Sequence, residues 1–346
     1  MTAAGGVAAA AAQAEEAAGA AADPAPVALR RSHLLAVYAA APLLMLAAVL
    51  DLWLADGGLR RALPASPWAL PGYALVLGLP HIVASFFAFA DAGLAHACRP
   101  VLQRAAWQAA LAAACVAPFL GQAWAEGVVV AATMVHVMGQ QTGLAVGMLR
   151  LPPQGPLRHA AAAWRLLLAL SGAAAGLALG GEGARDIVAQ PAHWMLAAGL
   201  ALGMATPLAA WLGWRAFAPG TGAQPRALLA MHGTTAVGLG LAVAGYPLLG
   251  IALLRVVHDT TAFLIYGTLA NEREQVAPGR NRLYRLLGLA GRRPGVWLWP
   301  VAIVLVVAAV PWLPPAVVLW LVFLHYAAEH HLWRRGSPLR DGLRLG

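Results

Sequence analysis

Lysine is missing from all 346 residues, cysteine occurs twice, and charged residues make up only 11% of the chain. Cys98 and Cys115 have no partner at metal or disulfide spacing, so neither a disulfide framework nor a thiolate metal cluster is expected. So little charge excludes an ordinary soluble domain of this length, which would need more polar surface. The first 29 residues are alanine-rich and carry Glu15, Glu16 and Asp23, with no positive region before an apolar core, unlike a secretory signal.

What the chain has instead is apolar length. Hydrophobic residues reach 61%, and apolar stretches of about twenty residues, enough to cross a bilayer as a helix, recur from Ser32 to Arg334. Proline, glycine and arginine punctuation predicts an all-α, polytopic transmembrane helix bundle of about ten spans. These are 34–54, 68–90, 105–125, 126–149, 161–180, 192–214, 226–245, 248–270, 296–313 and 315–333. The bundle occupies residues 32–335, between a disordered cytoplasmic tail over 1–31 and a short cytoplasmic tail over 336–346.

Arginine sets the orientation. With the N-terminus inside, the outer connections keep only Arg60, Arg61 and Arg185, so an even number of spans with both termini cytoplasmic obeys the positive-inside rule. The basic excess is then a topology signal, with no nucleic-acid footprint. The arginines of Arg280 to Leu287, in the largest inner loop, read first as a topology signal, with an amphipathic helix on the anionic leaflet as the alternative. Heavy use of alanine, glycine and arginine resembles a GC-rich bacterial genome, and the expected home is a bacterial inner membrane.

Histidine carries the chemistry. Four of the expected spans, 68–90, 126–149, 248–270 and 315–333, run from outside to inside in this topology. Counted at ~1.5 Å per residue, His81, His136, His258 and His325 then fall within roughly 5 Å of one level near the midplane. Ionisable groups at that depth are costly, and a shared level predicts a shared metal. Ser85, Gln140 and Glu329 each follow one of these histidines by four residues and share its helix face. Asp259 adjoins His258 and stands four residues after Arg255, where an internal ion pair is expected. Asp259 and Glu329 are therefore the candidate catalytic or orienting acids. His232 and His330, about a turn nearer the cytoplasm, are candidates for a second metal position. Imidazoles with carboxylates and no thiolate cluster fit iron, copper or zinc, and a redox task beside lipid favours non-haem iron, mononuclear or dinuclear.

Three motifs resemble the bacterial retinal-forming β-carotene oxygenases of the Brp/Blh family. Gly78-Leu79-Pro80-His81 is similar to its Gly-Leu-Pro-His signature, Met134-Val135-His136 to its mid-chain histidine, and His325 with the helix running to Leu332-Trp333-Arg334 to its last segment. Elsewhere the pattern departs. Ile82-Val83-Ala84-Ser85 replaces the family's Gly-Ala-Leu-Asp, Ala262 stands four residues after His258 where the family has a second histidine, and His330 takes the place of an aspartate. The resemblance implies a polytopic membrane oxygenase with histidine-bound iron, for which carotenoid cleavage is one possible reaction. The expected partners are the bilayer, dioxygen and an apolar lipid, polyene or quinone-like substrate. Two other functions stay open on the residues alone: a haem or electron-transfer protein with midplane axial histidines, and a metal or proton-coupled transporter.

Overall fold

The computed structural model describes residues 27–64, 78–119, 123–149, 155–179, 190–217, 225–294, 298–334 and 343–345, with a few isolated positions between them. The expected disorder of residues 1–26 lies outside that set. The described chain is helical apart from one short pair of strands. In chain order it comprises β1 (Val27–Leu29), α1 (Arg31–Val37), α2 (Ala40–Leu54), α3 (Gly58–Ala62), α4 (Leu79–Phe89), α5 (Ala92–Val116) and α6 (Ala123–Met148). Then come α7 (Pro156–Leu179), α8 (Pro191–Ala216), α9 (Pro225–Val243), α10 (Pro247–Val276), α11 (Arg282–Leu286), α12 (Leu298–Ala309), α13 (Pro315–Leu332) and β2 (Leu343–Leu345).

Each of the ten expected segments contains a helix, and among the described residues six helical stretches are long and apolar enough to cross a membrane: Ser32–Leu54, Trp124–Met148, Pro156–Leu179, Pro191–Ala216, Pro225–Val243 and Pro247–Val276. The other four fall short for visible reasons. Helix α4 has 11 residues, a rise of only ~16 Å against a hydrocarbon core of ~30 Å, and α12 is similarly short. Arg99 and Arg104 dilute α5, and His325, Glu329, His330 and His331 dilute α13. The expected tails also differ from the observed ends, because β1 and β2 pair in parallel, Val27 opposite Leu343 and Leu29 opposite Leu345. Both ends of the described chain therefore meet beside α10.

Small residues set how the site-bearing helices approach. Gly172 and Gly176 on α7 form a small-xxx-small ridge against α6, where an added Cβ would come within 2.6 Å of Met138 Cγ and 2.7 Å of Met134 Cγ. Met134 and Met138 thus face α7, and His136, midway between them and ~200° around the helix from each, turns to the opposite side. Helices α9 and α10 close in the same way, since a Cβ on Gly250 would lie 2.4 Å from the Gly238 carbonyl oxygen. Helix α10 becomes the central post of the bundle, in contact with α2, α4, α6 and α9.

The segment between α10 and α12 is tied down by charge. Asp91 caps α5 by accepting from the Leu94 amide at 2.8 Å, and it receives Arg273 Nε and Arg280 Nε, each at 3.0 Å. Asn281 Nδ2 donates to the Phe87 carbonyl at 3.0 Å, and the Glu274 carboxylate accepts the amides of Asn281 and Gly291. The alternative of a leaflet-bound helix is accordingly reduced to the five residues of α11, with Tyr284 fully buried and hydrogen-bonded to Asn271. Burial alone would raise the Asp91 pKa, but Arg273, the Leu94 amide and Arg280 outweigh it and hold it below the ordinary carboxylate value. A depressed native pKa means the unfolded chain binds the proton more readily. The stabilisation is whole above the unfolded value of ~3.9 and is lost as pH falls through the lower native one. Denaturation followed against pH in detergent should therefore show Asp91→Asn less stable at neutral pH and with a shallower acid limb than wild type.

Candidate metal centre

His81 lies on the first turn of α4, His136 on α6, His258 on α10 and His325 on α13, and these elements bring one nitrogen of each within 4.8 Å of the others. The four histidines could hold a metal ion. His81 Nε2 is 3.0 Å from His325 Nε2 and 3.2 Å from His258 Nε2. Two imidazole nitrogens bound to one ion at ~2.1 Å lie about 3.0–3.4 Å apart for angles between octahedral and tetrahedral. The rings pack edge to face, with centroids from 4.7 Å for His81–His325 to 5.1 Å for His136–His258.

Proton placement is compatible with a cation between these nitrogens. His81 Nδ1 lies 3.0 Å from Asp259 Oδ1. That contact is bent out of hydrogen-bond alignment, yet a carboxylate oxygen so close still places the proton on Nδ1. Ser85 Oγ donates to the Ile82 carbonyl at 2.7 Å, so at 3.1 Å from His325 Nδ1 it can only accept, and the His325 proton is also on Nδ1. Both Nε2 atoms then present lone pairs to each other at 3.0 Å. A proton on His81 Nε2 could serve His325 or His258 but not both. Among the described residues, His136 Nε2 and Glu329 Oε2 are buried without a hydrogen-bond partner, 3.4 Å from each other. Glu329 Oε2 is also 3.8 Å from His325 Nε2. Four imidazole nitrogens thus gather in one buried cluster, with the Glu329 carboxylate at its His136 and His325 side, a donor set that could hold a divalent metal.

The surrounding shell fixes these donors. Asp259 Oδ2 accepts the Gly78 amide at 2.8 Å, and its Oδ1 lies 3.5 Å from Arg255 Nη2, which is the ion pair expected from their spacing. Gly78 has φ +96°, and a Cβ there would come within 2.4 Å of Arg255 Nη2. The Gly-Leu-Pro-His run therefore has a physical meaning: glycine lets the chain pass Arg255 and offer its amide to Asp259, and proline starts the helix that carries His81. Glu329 Oε1 accepts from Tyr266 Oη at 2.6 Å and Gln140 Nε2 at 3.2 Å, which leaves Oε2 turned to the histidines. Tyr326 stacks on His136 with centroids 4.2 Å apart and rings 22° from parallel.

Glu329 and Asp259 sit where the sequence places them, beside the histidines, but their roles divide. Glu329 turns an oxygen toward His136 and His325, and Asp259 lies against His81 Nδ1. His232 and His330 do not join them. The His232 nitrogens meet Trp164 Nε1 at 3.4 Å and Thr206 Oγ1 at 3.2 Å, within the α7, α8 and α9 layer. His330 is exposed and bonded to Arg334. The expected second metal position is therefore not assembled from these residues. Gly78, Tyr266 and Tyr326 are the site-forming residues that sequence reasoning missed. The glycine alone had a signal, its place in the motif before His81.

A cleft of about 920 Å³ reaches the centre at His136 and Glu329 and extends to Arg158, Arg165 and Arg334. The chain matches no family model, no curated protein and no solved structure.

Proposed function

We propose that the protein is an integral-membrane oxidative enzyme of the bacterial inner membrane, with ten crossings and both termini cytoplasmic, that uses non-haem iron and dioxygen on an apolar substrate. The convergence of the four histidine nitrogens carries this reading. Because His81 and His325 keep their protons on Nδ1, their lone pairs meet across 3.0 Å, an arrangement that a shared cation satisfies. His81, His136, His258 and His325 would hold the ion, with Glu329 beside it on the His136 and His325 side. Four imidazole nitrogens leave coordination positions open, a pattern that iron accommodates. When bound, iron would supply the Lewis acid and redox chemistry that makes dioxygen reactive toward a carbon chain. Tyr266 and Gln140 hold Glu329, Asp259 and Ser85 hold the imidazoles, and the cleft brings apolar substrate to the His136 side.

Several observations support the finer parts. Pairing of β1 with β2 brings both ends together, as an even number of crossings requires. Edge-to-face contact among the rings leaves no slot for a planar macrocycle, which favours a bare ion over haem. The motif resemblance to the Brp/Blh oxygenases points to the same chemistry. Elemental analysis with an optical spectrum of the detergent-purified protein tests the proposal. Roughly one iron per chain that survives gel filtration is expected, without a Soret band. Metal-free protein that still consumes oxygen with an apolar substrate, or a strong Soret band, would overturn it.

A further inference from the structure

We infer that the cleft binds an amphiphile by its anionic headgroup, held at Arg158, Arg165 and Arg334, with its apolar tail laid along α6 past the metal centre. The inference deepens the proposed function and rests on the cleft being its substrate channel. Along α6 the cleft wall runs from Ala132 to Gly147, a rise of roughly 22 Å, the scale of a long extended acyl chain. The end beyond His136 is apolar, with Ala109, Ala112, Ala132 and Phe323, and the other end is cationic.

Arg165 is the informative residue. It stands nine residues into α7, about 14 Å along a membrane-length apolar helix, where a guanidinium is costly unless it has a partner or a task. Arg158 and Arg334 fit topology marking at a helix end, but Arg165 does not. Among the described residues, none of the three arginines forms an ion pair. Among the described residues lining the cleft the one carboxylate is Glu329, which is engaged by Tyr266 and Gln140 and turned to the histidines, so the charge of the arginine end complements a ligand that brings its own anion. Arg guanidinium matches carboxylate or phosphate oxygens through paired N–H donors. Arg165 lies over Gly143, where an added Cβ would be 3.6 Å from its Nη2. His136 is seven residues away on α6, roughly 10 Å along the axis. A head held at Arg165 therefore presents the middle of its chain, not the head itself, to the centre.

The test is equilibrium binding of a radiolabelled long-chain carboxylate to the full-length protein in nonionic detergent. Competitors are the chain-matched alkyl phosphate and primary alcohol. Both anions should compete at least roughly tenfold better than the alcohol. Arg158→Gln with Arg165→Gln should bring that preference to within about twofold, with metal content unchanged. Competition by the alcohol equal to that of the anions, or a preference that survives the double substitution, would overturn the inference. The wild-type comparison alone decides the matter if the double variant does not fold. Metal content measured on the same preparation keeps the two proposals separable: an anion preference in metal-free protein sinks only the oxygenase reading, and iron without the preference sinks only the headgroup site.

Discussion

His325→Ala should empty the metal centre and abolish activity, while His232→Ala and His330→Ala leave both in place. His325 contributes an Nε2 lone pair 3.0 Å from that of His81, and Ser85 fixes its ring by accepting at Nδ1. Its removal takes away a donor and also leaves the 3.0 Å contact that orders His81 without its partner. Loss of an outer-shell hydrogen bond commonly costs ~10–100-fold in metal affinity, and loss of the donor itself should exceed that. Ser85→Ala therefore provides an internal scale, with weakened but measurable binding expected where His325→Ala shows none. Metal content after equilibration against a graded chelator, read for all four variants, checks the order. A site that holds its metal equally well without His325 would mean that the four rings are only a packed polar core.

The contrast between His325 and His232 shows what the sequence could reveal. Depth along a helix can be counted from residue number, and the four histidines counted to one level in the expected topology are the four that the structure brings together. Rotation about the helix axis cannot be counted, because it depends on which neighbour claims each face. For α6 that choice is made by Met134 and Met138 closing on Gly172 and Gly176, residues far away in the chain. His232, counted about a turn from that level, is near enough to suggest a second position, but its face of α9 belongs to Trp164 and Thr206. For His330 the information was present locally. Five residues after His325 it points ~140° away, whereas Glu329 at four residues shares the histidine's side. Tyr266 was invisible for another reason: a tyrosine in an apolar helix is an ordinary packing residue until Glu329 arrives from α13 to accept its hydroxyl. The Arg255–Asp259 pair, closed within one turn of one helix, was legible from spacing alone.

That pair sets the other large expected effect. Asp259→Ala should destabilise the protein by ~3–5 kcal/mol, because Arg255 is left buried without its carboxylate. It should also weaken metal binding by a further ~10–100-fold, because His81 loses the acceptor beside Nδ1. The two consequences separate in a second variant. Arg255→Met combined with Asp259→Ala removes both charges, and replacing a buried ion pair by apolar side chains of similar volume is often neutral. Much of the lost stability should return, although Gly78 keeps an unanswered amide that had donated to Asp259 at 2.8 Å. Metal affinity should not return, since no group remains to hold the His81 proton on the side away from the centre. Unfolding in detergent and chelator competition on the same two proteins measure both quantities. Recovery of metal binding together with stability would make Asp259 a structural counter-ion only. Stability without metal would place it with the groups that aim His81 at the ion.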